Sequence, residues 1–315
     1  MKSHPTLALL TCLTLSACDF SCASIGKAKP PVPRFDENYA YEQILRYEKL
    51  GPQIPGSPGS EKTAAMIKAE LTQSGALVLE QKTTAKTFDG KTIPVLNLMA
   101  QYNPSAQDRI LLSAHWDTRP FSDEDPNPKM KHLPVPGVND GGSGVVVLLG
   151  IAKALKLAPP TLGVDLLFLD AEDWGNPSKE ESYCLGTQYW AKNPIPEKYT
   201  ARFGINFDMV GRTGAVFPIE SYSAQRAPEV IQKVRSAAHQ LGYDDFFPNF
   251  RVGFVTDDHV YLMNGRGFPV MDLIHMTEQG RFPPEWHTHL DTSEFISRDV
   301  LKVVGQTTLQ VLWNE

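Results

Sequence analysis

Several short polar clusters in this sequence carry the residue types that bind metals or move protons. They are His115-Trp116-Asp117, Asn139-Asp140-Gly141-Gly142, Asp170-Ala171-Glu172-Asp173, Asp208, Asp257-Asp258-His259 and Trp286-His287-Thr288. Imidazole and carboxylate together suit a zinc ion, which in a catalytic site keeps one position open for water or substrate. His115 and Asp117 lie two apart on an extended segment and face the same side, so Asp117 can fix the tautomer of His115. Glu172 and Asp173 are adjacent, which lets one bind metal while the other stays free as a proton shuttle. Singly, each cluster has a plainer reading: a solvated surface charge for Glu172 or Asp173, a rim histidine for His287, a helix cap for His259. Jointly they point to one divalent metal site, because every cluster falls at the end of an expected strand.

The elements that must position these groups are legible from hydrophobic spacing. Tyr39–Leu50 has helical spacing, and after the turn Pro55-Gly56-Ser57-Pro58-Gly59 a second helix can be capped by Ser60. Leu77–Thr84, Ile93–Tyr102, Arg109–Ala114, Val164–Leu169, Phe203–Phe207 and Pro269–Ile274 read as strands, Val164–Leu169 as an apolar one. Val145–Leu157 is apolar nearly all round and must be a buried helix; further helices lie around Ala227–Leu241 and Val300–Leu312. Strands alternating with helices predict a single α/β domain with a mixed, mostly parallel central sheet covered by helices on both faces. In such sheets, sites form beyond the carboxyl ends of the strands. The run Gly141-Gly142-Ser143-Gly144 lacks the lysine of a phosphate-binding loop, so nucleotide binding is not expected.

Composition narrows the classes further. The 315 residues are 42% hydrophobic and 21% charged, which excludes a disordered or fibrous chain. A formal charge of -6 argues against nucleic acid as a partner. Three of the four cysteines, Cys12, Cys18 and Cys22, lie near the start, so no disulfide framework spans the body, and Cys184 reads as a buried structural thiol. Lys2, the apolar run Leu7–Leu15 and the small residues after it describe a signal peptide over residues 1–17. Leu15-Ser16-Ala17-Cys18 resembles the bacterial lipoprotein processing site, with Cys18 lipidated and residues 18–34 as a proline-containing tether. The catalytic domain then occupies 35–315 in an exported protein held by its lipid anchor at a membrane, in the periplasm or cell envelope.

Taken in order, the motifs resemble those of the zinc-dependent aminopeptidase superfamily and, within it, the bacterial glutaminyl cyclases. The superfamily's His-x-Asp, Asn-Asp-Gly, Glu-Glu or Glu-Asp, Asp and His signatures match His115-Trp116-Asp117, Asn139-Asp140-Gly141, Glu172-Asp173, Asp208 and His287. Asp257-Asp258-His259, where aminopeptidases usually carry Ser-Asp-His, favours the cyclase branch, as do Trp286 before the metal histidine, His115-Trp116-Asp117-Thr118-Arg119-Pro120 and Cys184–Trp190. The resemblance implies a zinc-aminopeptidase-like fold and a glutaminyl-peptide cyclotransferase, which turns the N-terminal Gln of peptides or proteins into pyroglutamate and releases ammonia. It also implies that Asp140, Asp173 and His287 hold one zinc, that Glu172 is the acid/base, and that Asp208 and Asp257 complete a catalytic carboxylate network. Substrate would meet Trp286, His115, Trp174 and Tyr183, although a core position competes for Trp174 and Tyr183. Asp173 departs from the pattern, since animal cyclases and many aminopeptidases have Glu there. The main rival is a two-zinc aminopeptidase that adds His115 and Asp208 as ligands of a second ion bridged by Asp140. A metal-free binding module or a purely structural lipoprotein would lack zinc.

Overall fold

The computed structural model describes Met1 and residues 31–315. The signal peptide, Cys18 and the tether as far as residue 30 lie outside the described residues. Residues from Pro31 onward form one domain. The packed body begins slightly before Phe35: Val32 packs against the core, and the Gln306 side chain donates to the Pro33 carbonyl at 3.1 Å.

Two helices lead the domain, α1 (Glu37–Lys49) and α2 (Pro58–Gln73). The cap of α2 is Ser57 rather than the expected Ser60; its hydroxyl accepts from the Ser60 N–H at 3.1 Å. Pro58 explains the earlier start, because the first helical position needs no N–H and favours a preset φ. The strands β1 (Leu77–Lys86), β2 (Thr92–Tyr102), β3 (Arg109–His115), β4 (Gly163–Leu169), β5 (Phe203–Asp208) and β6 (Val270–Ile274) make one sheet in the order β1-β2-β4-β3-β5-β6. The pairs β1/β2 and β2/β4 are antiparallel, whereas β4/β3, β3/β5 and β5/β6 are parallel. The carboxyl ends of four strands therefore share one edge.

Side chains alternate across this sheet as a period of two requires. Ile110, Leu112, Ala114, Val164, Leu166 and Phe168 enter the larger core. That core is covered by α1, α3 (Gly142–Leu157) and α8 (Arg298–Asn314). Leu111, Leu167 and Leu169 face the other way into a smaller core, with Trp190 of α4 (Leu185–Lys192) and Leu262 of α7 (Asp258–Arg266). The short α5 (Ser221–Arg226) and α6 (Pro228–Gln240) complete the wrapping. Asp165 interrupts the apolar reading of β4. Its charge is tolerated because Arg109 donates to both its oxygens at 2.7 and 2.6 Å and the Tyr199 hydroxyl adds a bond at 2.9 Å. This buried pair braces the start of β3 and β4, leaving their far ends for other groups.

Candidate active site

The polar clusters converge at the carboxyl edge of the parallel strands. His115 is the last residue of β3, and Asp208 the last of β5. Glu172 and Asp173 follow β4, Asp140 stands in the turn that launches α3, Asp257 caps α7, and His287 comes from the segment between β6 and α8. The turn into α3 demands glycine: a Cβ on Gly141 would lie 2.5 Å from the His115 carbonyl and 2.6 Å from its Nε2. Ala171, Cys184, Met209 and His287 all adopt left-handed φ values of 50–55°. Such conformations cost non-glycine residues free energy and cluster where function fixes the backbone. Here they flank or contain Glu172, Asp208 and His287.

Two donor sets share Asp140. His287 Nε2 lies 3.2 Å from Asp173 Oδ1 and 3.7 Å from Asp140 Oδ2. His115 Nε2 lies 3.1 Å from Asp140 Oδ1 and 3.3 Å from Asp208 Oδ1. Each set can bring one atom per residue within 4.8 Å of the others. Donors about 2.0–2.2 Å from one tetrahedral ion stand roughly 3.3–3.6 Å apart, so the spacing and the nitrogen–oxygen chemistry of both sets fit zinc. The buried Nδ1 of His287 has no hydrogen-bond partner among the described residues.

The backbone of the site is held by carboxylates that accept chiefly from main-chain N–H groups. Asp117 accepts from the Glu172 N–H at 2.9 Å and the Asp173 N–H at 3.2 Å. It thereby ties the end of β3 to the turn after β4, while its contact with His115 Nδ1 is looser, at 3.6 Å. The expected tautomer-fixing role is thus secondary to bracing a turn. Asp291 does the same for the Asp140 turn, accepting from the N–H groups of Asn139 and Asp140 at 2.8 and 3.1 Å. Sequence reasoning passed over Asp291, whose only signal was its place four residues after His287.

Neighbouring carboxyls differ sharply in charge environment. Burial pushes Glu172 well above the ordinary carboxylate range; Asp173, Asp257 and Asp258 push the same way, against a partial offset from His115. Burial also raises Asp173, yet His287 and Arg119 outweigh it and hold this carboxyl below its ordinary value. Asp208 is pushed up to about 7 by burial and by Asp140, against the pull of His115. Burial disfavours a charged His115, but Asp117, Asp140 and Asp208 together raise it well above its ordinary value. The Cys184 thiol, buried as expected, donates to Glu172 Oε1 at 3.2 Å. Glu172, Cys184 and Asp257 each place one atom within 4.8 Å of the others, so Glu172 lies against a second carboxylate in the same cleft. Asn206 fixes that second carboxylate, donating to Asp257 Oδ2 at 2.8 Å.

A cleft of about 330 Å³ opens over these groups. Asp140, Glu172, Asp173, Asp208 and Asp257 make it acidic around His287, and Tyr183, Phe254, Phe282 and Trp286 give it aromatic walls. Trp286 stacks on the His287 ring with centroids 3.6 Å apart and is backed by Phe282 at 4.4 Å. Two expectations fail here. Trp174 packs with Ile93, Val95 and Ala171 in a small core of its own and does not line the cleft. His115 is also absent from the cleft lining, buried behind Asp140 and Asp208 because it ends a central strand.

Residues 97–312 match the profile of peptidase family M28. The chain is 25% identical over 276 residues to aminopeptidase YwaD of Bacillus subtilis, covering 82% of this chain and 53% of that protein. It thus spans about half the length of that relative. Among solved structures, a glutaminyl cyclase of Bacteroides thetaiotaomicron bound to N-acetylhistamine superposes with a TM-score of 0.89 at 40% identity, covering 90% of this chain and 100% of that one. A Zn-dependent exopeptidase from Parabacteroides distasonis superposes equally well, with a TM-score of 0.89, 39% identity and the same coverage.

Proposed function

The chain belongs to peptidase family M28, and from that premise we propose that it is a zinc-dependent glutaminyl-peptide cyclotransferase acting on peptide or protein N-termini that bear Gln. The observation that carries this reading is the Glu172–Asp257 pair, two facing carboxylates set beside the donor set and under an aromatic wall. Peptide hydrolysis needs a base that activates water and returns the proton to the leaving amine. Intramolecular aminolysis needs a proton carried from an amine to a departing ammonia, and a carboxylate pair suits that transfer.

Asp140, Asp173 and His287 would hold the ion. Zinc bound there supplies a Lewis acid for the γ-carbonyl of the substrate. The acidic floor attracts the N-terminal ammonium, which gives its extra proton to solvent so that the neutral amine can attack. As the bond from the α-nitrogen to the side-chain carbonyl carbon forms, Glu172 takes the proton that this nitrogen sheds; as the bond from that carbon to the amide nitrogen breaks, Glu172 passes the same proton to the departing nitrogen, which leaves as ammonia. Asp257, oriented by Asn206, and Asp208 hydrogen-bond to Glu172 or to the amine. Trp286 and Phe282 hold the side chain folded for a five-membered closure, where orientation supplies much of the rate.

A specific observation supports a second reading. Asp140 faces His287 with one oxygen and His115 with the other, the disposition a bridging ligand needs in a two-zinc aminopeptidase. The deciding experiment incubates the purified chain with a Gln-peptide and a Leu-arylamide while counting zinc per chain. Loss of one ammonia from the Gln-peptide, seen by mass, with one zinc and no arylamide turnover is expected. Arylamide cleavage that tracks a second zinc would transfer the protein to the aminopeptidases.

We also read residues 1–17 as an export signal and Cys18 as the site of lipidation, with 18–34 leading to the catalytic domain. No helix among the described residues is long and apolar enough to cross a membrane. Cys18→Ser should move the protein from the membrane fraction to the soluble one; unchanged fractionation would remove the anchor.

A further inference from the structure

The side chain of Arg119 is completely buried, and all five of its N–H groups are used. Nε and Nη2 form a fork on Asp123, at 2.7 Å to each oxygen. Nη1 donates to the Asp173 carbonyl at 3.0 Å and to Asp173 Oδ1 at 3.1 Å, and Nη2 also reaches the Gly175 carbonyl at 3.3 Å. Phe121 and Tyr183 close over the guanidinium, with ring centres 4.4 and 5.7 Å away. On the far side of the fork, Asp123 Oδ1 stands 3.6 Å from His287 Nδ1, the buried nitrogen that lacks a hydrogen-bond partner.

From this arrangement we infer that Arg119 and Asp123 are positioning residues for the metal site, one buried cation setting the aim of two of its three protein ligands. The inference rests on the zinc reading above. A histidine that binds metal through Nε2 carries its proton on Nδ1, and an acceptor there fixes both tautomer and ring orientation. Asp123 is the acceptor in reach, and the Arg119 fork prevents it from turning away. The same guanidinium pins Asp173 through both its carboxylate and its carbonyl, so the short Asp side chain presents its remaining lone pairs toward Asp140 and His287. Burying an arginine is costly unless its hydrogen-bonding geometry is used, and here that geometry converges on Asp173 and on the neighbour of His287.

The test is zinc affinity, measured by chelator competition on the full purified chain, alongside thermal unfolding of the metal-free chain. Arg119→Met and Asp123→Asn should each weaken zinc binding by about 10–100-fold, the range seen when groups supporting metal ligands are removed. Arg119→Lys, which keeps the charge and loses the fork, should recover only part of the loss. The Met/Asn double variant should bind about as weakly as Arg119→Met, because that change already releases Asp123 as well as Asp173. A role in folding alone would lower the melting temperature while leaving affinity unchanged. If Arg119→Met fails to fold, Asp123→Asn decides, since the Asp123 side chain is partly exposed. Wild-type zinc binding with unaltered affinity in the variants overturns this inference alone; a wild-type chain that binds no zinc overturns the zinc reading and this inference with it.

Discussion

Glu172 and Asp173 leave β4 side by side and enter opposite environments. Toward Asp173 the structure gathers Arg119 and the imidazoles of His287 and His115, and Asp173 is held below its ordinary pKa. Toward Glu172 it gathers acids: Asp257, Asp258 and, further in, Asp272 are buried with little to neutralise them, and Glu172, Asp258 and Asp272 are all raised by burial and by neighbouring charge. A carboxyl kept ionised can bind a metal at any working pH, whereas one kept basic can accept and return a proton. Environments that drive two titratable neighbours apart assign their roles, and here one peptide bond separates them.

The strongest way to break this comparison is to remove a member of the donor set on the Asp173 side. His287→Ala should strip the zinc and abolish measurable turnover together, read by metal analysis and a Gln-peptide assay; turnover surviving without metal would dissolve the division. On the other side, Glu172→Gln keeps size and hydrogen-bonding shape but loses the base. Zinc content and melting temperature should stay near wild type while cyclisation falls about 100-fold or more, mainly in kcat. Lost zinc in that variant would make Glu172 a ligand.

The smallest effect sharpens the comparison through stability. Asp258 is buried, its Oδ2 has no hydrogen-bond partner among the described residues, and burial and the Asp257 charge raise its pKa well above the ordinary range. The native state therefore holds this proton more tightly than the unfolded chain, so its contribution to stability falls as pH rises from the ordinary carboxylate range through the folded value. Asp258→Asn removes that loss. The variant should melt about 2–4 °C above wild type at pH 8, a gain of roughly 1 kcal/mol, and the gap should shrink toward pH 5. An equal gap at both pH values would mean that charge at Asp258 is not the cause.

Much of the fold was legible because it depends on spacing. The strands of β2 to β6 and the apolar helix α3 follow from runs that survive a shift of a residue or two at each end. The polar groups at strand ends followed from the same pattern, since a strand that ends at the sheet edge must deliver its next side chain there. What stayed hidden depends on distant loops meeting. Nothing local marks Asp123 as a neighbour of His287, or Asp291 as the brace of the Asp140 turn. Nor does it show that Cys184 would reach Glu172. Trp174 misled because an aromatic beside a candidate ligand reads alike in a core and in a wall. The helix α7 was missed for a related reason: Asp257 was read for its charge, and it also serves as the N-cap.

The dispersal of the site along the chain has a consequence for how the protein reaches its finished state. Asp140 follows β3, Asp173 follows β4 and His287 follows β6, so any shortened chain that ends before His287 lacks one member of the set. Synthesis must be nearly complete, and the last strand docked, before all three can meet. An ion that binds only the completed fold adds to its stability by mass action, about 1.4 kcal/mol for each tenfold excess over its dissociation constant. A clipped or misassembled copy forgoes that gain and spends more time open to proteases. If the ion is zinc held by these three residues, their order along the chain couples completeness to lifetime: a copy that lacks one of them also lacks the ion's stabilisation.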